Sequence, residues 1–401
     1  MIRRDMLELG TKRSTIRELF EFGKQMKAEL GDGAVFDFSL GNPSVAPPKS
    51  VNSGISRLLE DYDATALHGY TSAEGDYAVR RAVAEYISAT HGIEAHPENI
   101  YMTVGAAAAL TSTLGAICGE GENVIVLAPY FPEYRVFIEK CGAEVREVKA
   151  LDGSFLPDIP AIAAACDENT AAIIVNSPNN PTGAVYGEDD IAALSRMLLA
   201  KSAEVGHPIY LIADEPYREL VYDGAIVPFI PNLYKNTVVC YSFSKSLSIP
   251  GERIGYVFVP EAADESYSLF RAICGSARAL GYVCAPSLLQ RLAAMCLGQC
   301  ADIEIYNSSR LTLMRALTEY GYEVCPPSGA FYLFVKALVP DAREFSDIAK
   351  RFGLLLVPSD DFGIPGYVRL AYCQTPDMIL RSLPKFRELA EYCLSAKGDK
   401  I

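Results

Sequence analysis

The sequence has no surplus of positive charge. Its 36 lysines and arginines face 50 aspartates and glutamates, a formal net charge of −14 over 401 residues. Such a chain has no broad basic surface to offer, which argues against nucleic acid or an anionic membrane as a partner. No apolar run approaches the ~18–20 residues that cross a bilayer. The opening residues, MIRRDMLELGTKRS, are basic but have no apolar stretch behind them, so no secretory signal is visible. The eleven cysteines are scattered and form no CxxC; the nearest pair, Cys296 and Cys300, has no histidine beside it. Buried reduced thiols are expected, and a metal site is not. GxGxxG is missing after any first strand, which speaks against a nicotinamide dehydrogenase. Internal repeats and low-complexity tracts are absent as well. These absences together describe a soluble, cytoplasmic protein that handles small molecules.

What is present is a large apolar core in an alternating pattern. Half the residues are hydrophobic, and the length predicts two or three domains, or one large domain with a satellite. Strand-like runs fall at Val124–Ala128, Ala171–Asn176, Ile209–Ala213, Val238–Tyr241 and Ile254–Val259, with helical stretches such as Ile191–Glu204 between several of them. Nearly continuous apolar strands are those of a mostly parallel sheet covered by helices on both faces. From about Asp302 the texture changes to a smaller α+β unit. We therefore expect an N-terminal arm and small-domain segment over 1–45, a large domain over 46–300 and a small C-terminal domain over 301–401.

On open α/β sheets, ligands sit beyond the carboxyl ends of the strands, and the polar residues of this chain cluster there. Pro129-Tyr130-Phe131 follows the first run, NSPNNPTG (Asn176–Gly183) the second and Asp214-Glu215-Pro216-Tyr217 the third. The fourth opens SFSKSLSIPGERIGY (Ser242–Tyr256). Two hydroxyls, a lysine and an arginine on a Pro-Gly turn would suit a phosphorylated aldehyde: the amine condenses with the aldehyde, while hydroxyls and guanidinium hold the phosphate. Taken alone, the same stretch also fits a solvated loop. Gly105 and the small residues Ala106 and Ala107 open a helix after Tyr101–Val104, a natural anion site. Gly41 lies in a turn that would let a ligand approach the backbone. Arg369 lies in an apolar strand, where a charge is costly without a partner; an edge strand pointing it to water would be the alternative.

Asn176–Gly183, Asp214–Tyr217 (DEPY), Ser242–Lys245 (SFSK) with Arg253-Ile254-Gly255-Tyr256, Gly329–Tyr332 (GAFY) and Val368-Arg369-Leu370 stand in the order found in class I aminotransferases. The chain resembles these pyridoxal 5′-phosphate enzymes of fold type I over nearly its whole length, from Gly41 to Arg369. The resemblance implies roles residue by residue. Lys245 is similar to the Schiff-base lysine that moves the Cα proton, and Asp214 to the carboxylate facing the pyridine nitrogen. Tyr217 and Asn180 resemble the pair that hydrogen-bonds the ring hydroxylate, and Phe131 the aromatic that stacks on the ring. Ser242, Ser244, Arg253 and the N–H groups of Ala106 and Ala107 would hold the phosphate. Tyr70 is similar to a tyrosine that reaches the neighbouring subunit's phosphate, which implies a homodimer with shared sites. Arg369, with Asn180 and the backbone at Gly41, would clamp the substrate carboxylate.

Departures from the family pattern are Ser246 and Glu252 around the lysine, Cys373 after the Arg369 strand, and Ala107, where one aspartate-specific branch carries a lysine. The resemblance implies transfer of an amino group from an L-amino acid, aspartate favoured, to a 2-oxo acid such as 2-oxoglutarate. Alanine or aromatic donors, or carbon–sulfur β-elimination on the same fold, are the alternatives. For a dicarboxylic donor the candidate second cation is Arg278, in GSARALGYVCAP (Gly275–Pro286), followed by Arg13 or Arg17.

Overall fold

The computed structural model describes residues 1–11 and 14–398. Helices Arg4–Thr11 and Thr15–Leu30 lead into β1 (Phe36–Asp37). The large sheet then uses β2 (Ile100–Thr103), β3 (Asn123–Ala128), β4 (Glu144–Lys149), β5 (Thr170–Asn176), β6 (Tyr210–Asp214), β7 (Thr237–Ser242) and β8 (Gly255–Phe258), in the order β2-β8-β7-β6-β5-β3-β4. β4, β3, β5, β6 and β7 are mutually parallel, and β8 runs antiparallel to both its neighbours.

Strand alternation divides the core between the two faces of this sheet. Ile125, Leu127, Ile173, Val175, Leu211 and Val239 join one buried cluster, which takes in Val83 and Ile87 of helix Tyr77–His91 and Leu194 of helix Glu188–Val205. Val124, Val126, Ile174, Ile212, Val238 and Cys240 join another, with Leu110 and Leu114 of helix Ala106–Ile117 and Ile273 of helix Ser266–Leu280. Continuous apolar strands were therefore the right signal for an α/β sheet covered on both faces. β4 escaped that signal because four of its six residues, Glu144, Arg146, Glu147 and Lys149, are charged. It is an edge strand, with one side free of pairing and its surface wet.

The small domain is a four-stranded antiparallel sheet, β12 (Val357–Pro358), β13 (Tyr367–Ala371), β10 (Tyr332–Lys336) and β9 (Val324–Cys325), in that order. Helices Ile303–Glu319, Ala342–Lys350 and Pro376–Gly398 cover it. β11 (Leu354–Leu355) pairs in parallel with β1, tying the segment after the N-terminal helices to this unit. Phe36, Phe38 and Val45 share its core with Phe331, Phe345 and Phe386. β11 and β12 are separated only by Leu356, which is buried. Arg369 is not on an edge: β13 lies between β12 and β10, and the side chain is buried at 2% exposure. Among the described residues no helix is long and apolar enough to cross a membrane.

Candidate active site

The parallel strands β3, β5, β6 and β7 end on one side, and the residues after them meet. A cavity of about 280 Å³ is lined by Phe131, Asn176, Asn180, Asp214, Tyr217, Ser242, Ser244 and Lys245 from those strand ends. Arg253, Ala106 and Ala107 close it on the large-domain side, and Gly41, Tyr332 and Arg369 on the small-domain side.

Lys245 belongs to a one-turn helix, Phe243–Ser246, that starts where β7 stops. Ser242 caps it, its hydroxyl accepting from the Ser244 N–H at 3.3 Å. The Lys245 Nζ donates to the Gly41 carbonyl at 2.7 Å and lies 5.3 Å from the Phe331 ring centroid. Burial lowers its pKa to about 8; Cys373 opposes that, while Arg253 and Arg369 reinforce it. An amine that sheds its proton near neutral pH is a usable nucleophile and base.

Asp214 ends β6. Burial raises its pKa to about 7, against the hydrogen bond from Tyr134 and with the help of nearby Glu215. Tyr134 donates to Oδ2, and the Asn176 amide donates to the Asp214 carbonyl at 2.9 Å. Oδ1 is buried without a hydrogen-bond partner among the described residues. A buried carboxylate oxygen left open towards a cavity suits a cationic N–H donor, since the unpaired group is otherwise expensive.

The anion end of the cavity is built from backbone and fixed charge. Helix Ala106–Ile117 begins after Gly105 with no side-chain cap, so its first N–H groups are free for a ligand. Gly105 has φ +88°, and a Cβ there would come within 2.5 Å of the Arg253 guanidinium, so only glycine permits this approach. Arg253 donates to the Ser244 hydroxyl at 3.2 Å, and the Ser242 hydroxyl to that of Ser244 at 2.8 Å. A free helix N-terminus, two hydroxyls and a guanidinium fit a phosphate group.

Arg369 occupies the other end. It donates to Asn180 Oδ1 at 3.0 Å and to the Ser39 carbonyl, and its guanidinium lies 4.6 Å from the Tyr332 ring centroid and 5.3 Å from that of Phe362. Burial lowers its pKa, and Nε has no hydrogen-bond partner among the described residues. Among the described residues no carboxylate pairs with it. A buried guanidinium with its fork only partly used suits a ligand carboxylate.

Phe131 is half-buried and meets Tyr134 edge-on at 5.7 Å. The Tyr217 hydroxyl bonds that of Tyr332 at 2.9 Å. A Cβ at Gly41 would collide with the Tyr332 hydroxyl at 2.1 Å, so glycine is needed there. Tyr70 is fully exposed, and Arg278 is exposed on helix Ser266–Leu280; neither lines the cavity of its own chain. Arg17 is exposed as well, while its neighbour Ile16 reaches the cavity. Arg13 lies outside the described residues. Sequence reasoning gave no role to Tyr134, Asn176, Tyr332 or Ile16. Asn176 and Tyr332 stood inside the quoted motifs, but nothing local to Tyr134, 80 positions from Asp214, signals their contact.

An amine, an open carboxylate, an anion cradle and a half-used guanidinium thus meet around one cavity. The chain belongs to the family of class I and II aminotransferases, whose pattern matches residues 34–384, and is a pyridoxal-phosphate-dependent enzyme. It is similar to an aminotransferase from Eubacterium rectale of known structure, at 49% identity and TM-score 0.95 over 98% of this chain and 99% of that one. It is also similar to the aspartate aminotransferase of Thermus thermophilus solved with maleate, at 27% identity and TM-score 0.85 over 97% and 99% of the two chains. A relative from Thermus aquaticus, named a probable aspartate/prephenate aminotransferase, is 32% identical over 87% of this chain and 89% of its own.

Proposed function

We propose that this enzyme moves the amino group of an L-amino acid to a 2-oxo acid at the cavity between Lys245 and Arg369. The observation that carries the reading is the buried Arg369 guanidinium with Nε unpartnered, because a charge in that position needs a carboxylate to repay its desolvation. Pyridoxal phosphate, when bound, supplies a conjugated ring into which the electron pair of the Cα–H bond can spread. Lys245 would hold the cofactor through its amine and would carry the proton from Cα. Asp214, with Oδ1 open, would keep the ring nitrogen protonated. Tyr217 and Asn180 would donate to the ring hydroxyl, and Phe131 would cover a ring face. Ser242, Ser244, Arg253 and the N–H groups of Ala106 and Ala107 hold the phosphate. Arg369 and Asn180 orient the substrate carboxylate, and the Gly41 backbone closes over it.

Arg369→Lys keeps the charge but not the planar fork. It is expected to reduce kcat/KM for every amino donor by about 2–5 kcal/mol, measured as steady-state kinetics on several donors. A loss confined to one donor would remove Arg369 from the common carboxylate.

For the donor we propose aspartate, the amino acid in the names of both Thermus relatives, with Arg278 supplied by a second subunit and Tyr70 crossing to the neighbour's phosphate. Arg278→Ala should then weaken aspartate kcat/KM by about 2–5 kcal/mol and hardly affect alanine. Equal losses would make Arg278 structural. An aromatic or other apolar donor is favoured by a different observation: Ile16, Leu40 and Leu110 line the cavity, and among the described residues its lining cations are Lys245, Arg253 and Arg369. Disappearance of the enzyme's visible absorption on mixing with aspartate, alanine or phenylalanine separates the two.

A further inference from the structure

Beneath the lysine, on the sheet face away from the anion cradle, lies a buried polar group that the chemistry above does not use. Tyr241 and Ser242 are successive residues of β7, so their side chains point to opposite faces. Ser242 joins Ser244 and Arg253 on the cavity side. Tyr241 turns the other way and packs among apolar residues, stacked on Tyr256 at 4.9 Å and edge-on to Phe243 at 5.1 Å. Its hydroxyl makes two bonds, to Glu219 Oε1 at 2.8 Å and to the Ser246 hydroxyl at 3.0 Å. The Ser246 carbonyl in turn accepts from the Ala301 N–H at 2.7 Å.

Glu219 is an expensive residue to keep there. Its Oε2 is buried without a hydrogen-bond partner among the described residues, and burial raises its carboxyl pKa, with Tyr241 and Arg218 working against that. Arg218 does not neutralise it directly, because its guanidinium is engaged by Glu215. Tyr256, Tyr86 and Cys300 also feel the Glu219 charge. A buried carboxylate kept half-satisfied calls for a reason beyond stability. The reason the geometry offers is its reach: Glu219 fixes the Tyr241 hydroxyl, and that hydroxyl grips Ser246, the residue next to Lys245.

We infer that Glu219 and Tyr241 are positioning residues that set the reacting lysine through Ser246, holding the one-turn helix Phe243–Ser246 from the face opposite the phosphate cradle. The inference rests on Lys245 being that lysine. With four residues and a single turn, this helix has too few internal hydrogen bonds to fix itself. Its orientation comes from Ser242 and Ser244 on one side and from Ser246 on the other. Proton transfer is sensitive to such placement, and a 1 Å error can cost ~100-fold.

The test is made on the cofactor-loaded enzyme and on its cofactor-free form. Tyr241→Phe, which removes the hydroxyl and keeps the ring packing, is expected to lower kcat about 10-fold with the amino-acid KM unchanged within about twofold. Ser246→Ala should do the same, and the double variant should lose little more than either alone, because the two act as one unit. Glu219→Leu should lose about 5-fold, and Glu219→Gln, which keeps an acceptor for Tyr241, should recover at least half of that. In the cofactor-free protein, amide hydrogen exchange of the peptide containing Lys245 should quicken in Tyr241→Phe while the flanking strand stays protected. Unchanged kcat with only a lower Tm, or equal losses in Glu219→Gln and Glu219→Leu, would overturn the inference. Borohydride reduction and peptide mapping of the parent enzyme keep the two readings apart. A label on another lysine defeats the site itself, whereas a label on Lys245 with unaltered kinetics in the variants defeats only the positioning role.

Discussion

Lys245→Ala is expected to abolish all but about 1 part in 10⁴ of the transamination rate, the upper end of what a positioned acid–base group contributes. The size of the effect follows from the surroundings of the amine. Burial together with Arg253 and Arg369 brings its pKa down to about 8, so a sizeable neutral fraction exists near physiological pH, where an exposed lysine would be almost wholly charged. It donates to the Gly41 carbonyl, which holds the amine in place without neutralising it. Among the described residues the other cations lining the cavity are guanidinium groups, which do not deprotonate in proteins. Arg369 is untouched by the change, so the amino acid should still bind, and the loss should fall on kcat rather than KM. Single-turnover kinetics with a saturating donor measures this directly. A residual rate within 100-fold of the parent would mean that another base carries the Cα proton.

Much of this site could be read in the sequence because its parts lie in short segments just after strands. Lys245, Asp214 and Asn180 each follow an apolar run, and parallel pairing brings those ends to one side of the sheet. What could not be read are contacts that pairing alone does not specify. Tyr134 reaches Asp214 from helix Glu133–Lys140, and Ile16 reaches the cavity from helix Thr15–Leu30, in both cases through tertiary packing. β4 was hidden for a related reason, since an edge strand under solvent has no need of an apolar run. The antiparallel β8 was legible as a strand, but its direction was not, because an apolar run reads the same both ways. Tyr70 and Arg278 are a different case. Their proposed roles lie on another subunit, and full exposure of Tyr70 on its own chain is compatible with that placement.

Asp214→Asn is expected to keep the cofactor bound and to lose about 10²–10³-fold in turnover, the scale of removing one preorganised electrostatic partner. Asparagine matches the shape of aspartate, so the Tyr134 hydroxyl can still donate to its carbonyl oxygen. The change is at the other atom. Where the Oδ1 of Asp214 offers a negative oxygen to a ring N–H, the amide offers an N–H of its own and favours an unprotonated ring nitrogen. The ring then lacks the positive charge that draws electrons from Cα. The same substitution has an opposite signature in the cofactor-free protein. Burial raises the Asp214 pKa to about 7, above its ordinary value, so the proton is bound more tightly in the folded state. Its stabilising contribution is full below the ordinary carboxylate range and is lost as pH rises through about 7. Cofactor-free parent protein should therefore lose Tm between pH 5 and pH 8 relative to Asp214→Asn, whose side chain does not titrate. Thermal melts of both cofactor-free proteins across that range, beside turnover of the loaded forms, test the two halves together. Turnover above one-tenth of the parent's would show that another group holds the ring proton. Parallel melting curves would show that the Asp214 carboxyl is not buried as a charge when the cofactor is away.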